Sequence, residues 1–83
     1  MRILTVISNY NEEGAIESSI RNFHTQKTIA SDLLVIDNSS SDQSLDLIRR
    51  AGADYIRHPV NTGGSAGVIK TALLYADLNG YDI

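Results

Sequence analysis

The sequence has no cysteine among its 83 residues, which excludes a disulfide framework and any thiolate metal site. Its two histidines, His24 and His58, are too few for a histidine-built zinc site. Basic residues are scarce and scattered. Seven Lys and Arg stand against ten Asp and Glu, a formal charge of −3, and only Arg49 and Arg50 are adjacent. Such a chain lacks the basic face that displaces phosphate counterions, so nucleic acid is not expected as a partner. No apolar run approaches the roughly 18–20 residues that span a bilayer. The N-terminal run Ile3–Ile7 is too short for a secretory leader, and no small-residue cleavage site follows it. The chain itself therefore reads as cytoplasmic.

What is present is a globular composition, with 42% apolar and 20% charged residues. Ile3–Ile7 is short and β-branched and runs into Ser8-Asn9-Tyr10-Asn11, which predicts a buried strand ending in a polar loop. From Glu12 to Gln26, Ile16, Ile20 and Phe23 repeat at helical spacing, with Glu12, Glu13 and Glu17 near the positive end of the helix dipole. Leu33–Ile36 predicts a second strand. Ser40 followed by Gln43 has the spacing of a capping box before a helix over Gln43–Ala51, with Leu45 and Ile48 on one face and Gly52 as its stop. Asp54–His58 predicts a third strand, closed by Pro59. A loop at Asn61-Thr62-Gly63-Gly64 leads to a helix over Ser65–Asn79, whose stripe would be Ile69, Ala72, Leu73 and Ala76. Gly80 caps it, and Tyr81-Asp82-Ile83 reads as the start of another strand.

Strand and helix alternate three times, which implies an α/β, Rossmann-like, mostly parallel sheet with helices on its faces. No linker or repeat divides the chain. A parallel sheet of three or four strands with a bare edge is a poor stopping point for a stable protein. The expectation is therefore an incomplete, truncated domain, and the bare edge is a route to self-association.

In an open parallel sheet, ligands bind beyond the carboxyl ends of the strands. Three polar segments fall there, each with a structural reading beside the functional one. Tyr10 could stack on a base, or pack on the surface while Asn11 caps the next helix. Asp37-Asn38-Ser39-Ser40-Ser41-Asp42 could read a base or a ribose hydroxyl, or serve as a turn with capping serines. Gly63-Gly64 could let backbone approach a ligand at a helix N-terminus, or simply make a flexible loop. Three known motifs are absent. A P-loop needs Gly before its Lys, and Ile69 precedes Lys70. A dinucleotide fingerprint needs G-x-G-x-x-G in the first turn. A phosphorelay receiver needs an Asp ending the third strand, where this chain has His58-Pro59.

Taken together, Tyr10-Asn11-Glu12, Asp37-Asn38-Ser39-Ser40-Ser41-Asp42 and Asn61-Thr62-Gly63-Gly64-Ser65-Ala66-Gly67 resemble the nucleotide-binding half of a family 2 glycosyltransferase with the glycosyltransferase A fold. The resemblance covers the whole chain. It implies that residues 1–83 are the N-terminal, nucleotide-sugar-binding part of such a domain. It further implies transfer of a sugar from a UDP- or dTDP-sugar to a glycan or lipid-linked acceptor, as in cell envelope polysaccharide biosynthesis. The full-length protein would then be membrane-associated at the cytoplasmic face. Asn38 and the Gly-Gly loop are closest to the rhamnosyl- and galactofuranosyl-transferase branch; Ser8-Asn9 stands where a Pro-x pair is usual.

The resemblance implies nucleotide binding by Ser8, Tyr10, Glu12, Asp37, Asn38, Asn61, Gly63 and Gly64. It also implies Mg or Mn held by an Asp-x-Asp motif and a carboxylate general base. No two aspartates here are spaced two apart, so those ligands are expected beyond Ile83, with no metal bound by this chain and no transferase activity from it alone. Two alternatives stand beside this: a non-enzymatic α/β module binding a nucleotide or partner, and a nucleotidyltransferase. The latter usually has a basic glycine-rich first loop, and Ser8–Gly14 holds no Arg or Lys.

Overall fold

The structure is a computed structural model that describes residues 1–26 and 30–82. Its elements run β1 (Leu4–Asn9), α1 (Ile16–Thr25), β2 (Asp32–Asp37), α2 (Ser44–Arg50), β3 (Asp54–Arg57) and α3 (Ala66–Leu78). The three strands form one parallel sheet in the order β1-β2-β3. Register pairs Leu4 with Asp32 through Asn9 with Asp37, and Leu34 with Asp54 through Asp37 with Arg57. This is the α/β arrangement that the alternation predicts.

Strand side chains alternate between faces, and the two faces hold separate cores. On one face Val35 packs with Ile16 and Ile20 of α1 and Ile48 of α2, flanked by Ile7, Leu33, Leu47 and Ala53. On the other, Leu34 and Ile36 pack with Val68 of α3, flanked by Leu4, Val6, Ile56, Ala72 and Tyr75. Helices α1 and α2 thus share one face, and α3 covers the other.

After α3 the chain returns past β2 to β1. The Asp82 N–H donates to the Arg2 carbonyl at 3.0 Å, and Arg2 N–H to the Asp82 carboxylate. Arg2 lies over the Tyr81 ring, 4.3 Å from its centroid, and the Tyr81 hydroxyl donates to Asp32 at 2.7 Å. Residues 81 and 82 form no strand here, and Ile83 lies outside the described residues. The chain moves from β1 to β3 in one direction and comes back to β1 in the other, so β1 is where its winding reverses. Ligands of open α/β sheets bind at the carboxyl end of such a point.

Several expected boundaries and faces are corrected. Strand β1 continues through Ser8 and Asn9, because both remain in register with Ile36 and Asp37. Helix α1 begins at Ile16; residues 12–15 form a turn in which the Glu12 carbonyl accepts from Ala15 and Ile16 N–H. Leu47, not Leu45, joins Ile48 in the core. On α3 the buried stripe is Val68, Ala72, Tyr75 and Ala76, while Ile69 and Leu73 are 54% and 51% exposed. The helix is apolar nearly all round, so periodicity could not select its inward face.

Ile48 has no exposed surface and touches both α1 and β2. Ile48→Ala is expected to cost about 2–5 kcal/mol of stability in chemical denaturation, from lost burial and the cavity left. Exposed Arg50→Ala should stay within about 0.5 kcal/mol.

Candidate functional site

The carboxyl ends of the strands carry polar residues that the sheet itself buries. Asn9 ends β1, Asp37 ends β2, and Asn38 and His58 follow β2 and β3. All four are buried. The ladder runs on past the strands: Asn38 N–H donates to the Asn9 carbonyl at 2.9 Å, and His58 N–H to the Asp37 carbonyl at 2.8 Å. Pleat parity then sends the side chains to opposite faces, and each face has its own hydrogen-bond network.

On the α1–α2 face, Asn9 Nδ2 donates to Asp37 Oδ1 at 2.7 Å and lies 3.2 and 2.9 Å from the Ser40 and Ser44 hydroxyl oxygens. The Ser40 hydroxyl donates to Asp37 Oδ1 at 2.6 Å, and its N–H to Oδ2 at 3.0 Å. Arg57 Nε lies 3.9 Å from Oδ2 and offsets part of the cost of burying this charge. With its NH2 turned to three oxygens, Asn9 leaves Oδ1 as a buried side-chain acceptor without a partner among the described residues, at a cost of about 1–3 kcal/mol.

The same network locks two loops together. Asn11 N–H donates to Ser40 Oγ at 2.9 Å, and Ser41 N–H to Asn11 Oδ1 at 2.8 Å. Asn11 (φ 50°) and Ser39 (φ 66°) both take left-handed backbone to make these turns. Glu13 N–H donates to Asp42 Oδ2 and Gln43 N–H to Glu13 Oε2, each at 3.1 Å. The expected capping box does not form. Buried Asp37 takes both the hydroxyl and the N–H of Ser40, and α2 starts instead with Asp42 Oδ1 accepting from Ser44 N–H at 2.9 Å. Asn11 likewise makes no cap for α1, whose N-cap is Ala15.

On the α3 face the centre is the Asn38 amide. Its Oδ1 lies 2.9 Å from His58 Nδ1 and accepts from the Thr62 N–H and hydroxyl, each at 3.1 Å. Its Nδ2 lies 3.4 Å from Asn61 Oδ1, which takes the Gly63 N–H at 2.7 Å. Gly63 has φ +86°, where a side chain would be strained. A Cβ on Gly67 would collide with the Thr62 side chain, so the first turn of α3 needs glycine there to seat this loop.

The structure therefore brings Asn38, Asn61 and Gly63 into one hydrogen-bonded group, with Gly64 next to it in the chain. Ser8 lies on the same face by parity and is exposed. Tyr10 is 50% exposed beside Asn11, with Glu12 exposed just beyond. Asp37 stands apart: its carboxylate is fully buried and occupied by Asn9 and Ser40. Sequence reasoning missed Asn9, Ser44, His58 and Thr71, and gave Ser40, Thr62 and Gly67 no individual binding role. For Asn9 and His58 the signal was available, since each follows an inward apolar residue by two positions and so points inward.

The model of glycosyl transferase family 2 matches residues 5–79, which include all three loops. The chain belongs to glycosyl transferase family 2. It is 33% identical over 76 residues to an uncharacterized protein of Methanocaldococcus jannaschii, covering 88% of this chain and 30% of that protein. It superposes with a TM-score of 0.81 on the mannosyltransferase PcManGT from Pyrobaculum calidifontis, solved in complex with GDP-Man and Mn2+. That match has 24% identity and covers 90% of this chain and 24% of the other. The described residues of this family 2 member thus have the glycosyltransferase A fold, and the chain spans less than a third of either relative.

Among the described residues, no group of three or more His, Cys, Asp or Glu could hold a metal ion, so the donor set for a divalent ion does not fit here. No described helix is long and apolar enough to cross a membrane.

The Asp42 carboxyl is held below its ordinary value. The Ser44 hydroxyl, donating to Asp42, holds that carboxyl below 3.8. A lowered folded-state value means that Asp42 contributes stability above 3.8, lost as the pH falls through the lowered value. Ser44→Ala should move the Asp42 titration back up toward 3.8, followed by carboxyl-carbon NMR.

Proposed function

We propose that this chain forms the donor-nucleotide part of a glycosyltransferase that takes a UDP- or dTDP-sugar and glycosylates a glycan or lipid-linked acceptor. The carrying observation is that Asn38, just after β2, and Asn61 and Gly63, after β3, converge in one hydrogen-bonded group at the carboxyl edge of the sheet. Family membership supports sugar transfer. The bound GDP-Man of the Pyrobaculum calidifontis relative supports a nucleotide-sugar donor. Asn38 and the Gly63-Gly64 pair favour the rhamnosyl- and galactofuranosyl-transferase branch, and with it UDP or dTDP.

In this reading Tyr10 lies against the base, and Ser8, Glu12, Asn38 and Asn61 bond the base or ribose. Gly63 and Gly64 let backbone approach the donor, and the first turn of α3, which has no side-chain cap, offers N–H groups to its phosphates. Asp37 acts from behind, holding Asn9 and Ser40 and through them the Tyr10 loop. The chain's residues bind and orient the nucleotide. Activation of the acceptor and any metal chemistry are assigned to parts of the protein outside residues 1–83.

An amide NMR titration with UDP, dTDP and GDP, with and without Mn2+, tests this. Signals of Tyr10, Asn38, Gly63 and Gly64 should shift with UDP or dTDP at lower concentration than with GDP, and Mn2+ should change the affinity less than about twofold, since no group of three or more His, Cys, Asp or Glu among the described residues could hold the ion. Absence of shifts with all three nucleotides would overturn the nucleotide reading. Stronger binding of GDP would overturn the base assignment.

A further inference from the structure

His58 takes no part in the reading above, yet it is 8% exposed and makes two side-chain hydrogen bonds in opposite directions. Nδ1 lies 2.9 Å from Asn38 Oδ1, and Nε2 lies 2.8 Å from Thr71 Oγ1, in the second turn of α3. The Thr62 N–H can only donate, so the Asn38 atom it meets is the amide oxygen. His58 Nδ1 meets that same oxygen and must therefore carry a proton. In the neutral ring, Nε2 is then the acceptor and takes the Thr71 hydroxyl proton. In the charged ring, Nε2 donates, and the Thr71 hydroxyl turns to the Gly67 carbonyl 3.1 Å away. Either way α3 fixes the ring, and the ring fixes the amide.

The consequence lies on the other side of Asn38. Three donors surround Oδ1, so the NH2 group faces away from them. Its single protein hydrogen bond among the described residues is a long one, 3.4 Å to Asn61 Oδ1, which the Gly63 N–H already occupies at 2.7 Å. An NH2 group carries two hydrogens, so Asn38 keeps one hydrogen without a protein acceptor among the described residues, at the carboxyl edge of the sheet. We infer that His58 is a positioning residue: with Thr62 it locks the Asn38 amide so that this side chain reads its ligand as a donor, selecting an acceptor atom such as a base carbonyl or a ribose oxygen. This rests on the nucleotide reading for the identity of the ligand, but the lock itself does not.

Two substitutions separate the ring nitrogens. The amide of Asn reaches about as far as Nδ1, and that of Gln about as far as Nε2. His58→Asn should keep donation to Asn38, whereas His58→Gln keeps the Thr71 side and loses it. The test uses the protein labelled with nitrogen-15, with UDP and dTDP as probes and thermal midpoints confirming that both variants fold. Without ligand, the Asn38 side-chain amide signals should move in His58→Gln and return near their wild-type positions in His58→Asn. On titration, His58→Gln should weaken nucleotide binding about tenfold, while His58→Asn stays within about twofold. The effect of His58→Gln should largely vanish when Asn38 is already Ala.

Equal binding by wild type and His58→Gln would overturn the inference and leave the nucleotide site standing. Equal losses in both variants would also overturn it, since the Nδ1 donor would then not matter. If wild type binds neither nucleotide, the functional reading falls, and the Asn38 amide signals still decide the lock. Unchanged signals in His58→Gln refute it, and a shift reversed by His58→Asn upholds it.

Discussion

Asn9 and Asp37 face each other in register at the ends of two neighbouring strands, both fully buried, joined by a 2.7 Å hydrogen bond. A carboxylate in that position is costly unless its oxygens are filled. The chain fills them with the Asn9 amide, the Ser40 hydroxyl and the Ser40 N–H, with Arg57 nearby. Satisfying the charge fixes where Ser40 sits. Ser40 in turn receives the Asn11 N–H, and Asn11 receives the Ser41 N–H. The Tyr10 loop and the Asp37–Asp42 loop are thus held by one buried group, and their left-handed residues follow from it.

The opposite face repeats the principle without a charge. Asn38, one residue after Asp37, points the other way because the pleat alternates. It gathers His58, Thr62 and Asn61, and through His58 reaches Thr71 on α3. Two adjacent residues at the end of the central strand therefore organise the loops on both faces of the sheet. Loops at the rim need such anchors, because they have little apolar surface to hold them.

Much of this was legible in the sequence. The alternation of short apolar runs with amphipathic segments gave six elements in order, and the three polar segments fell at the strand ends where they were expected. Residues whose fate depended on tertiary competition were not legible. Ser40 and Gln43 have capping-box spacing, but no local rule says that Asp37 will be buried and take Ser40 first. The face of α3 was ambiguous, because Ile69, Leu73 and Leu74 are as apolar as the residues that turn inward. Asn9 read as loop because it follows a serine, although its parity with Ile7 already placed it inside. His58 read as the end of a strand, and only the position of Thr71, thirteen residues on, gives its second nitrogen a partner.

If the Asn9–Asp37 pair holds the site together, a double-mutant cycle on stability will show the two side chains to be coupled. Asn9→Ala, Asp37→Ala and the double variant would be compared by chemical denaturation. Strong non-additivity is expected, with a coupling of about 1.5–3 kcal/mol between the two side chains, because either single change strands a buried polar partner. Effects that add to within about 0.5 kcal/mol would mean that the two residues contribute independently, and would contradict it.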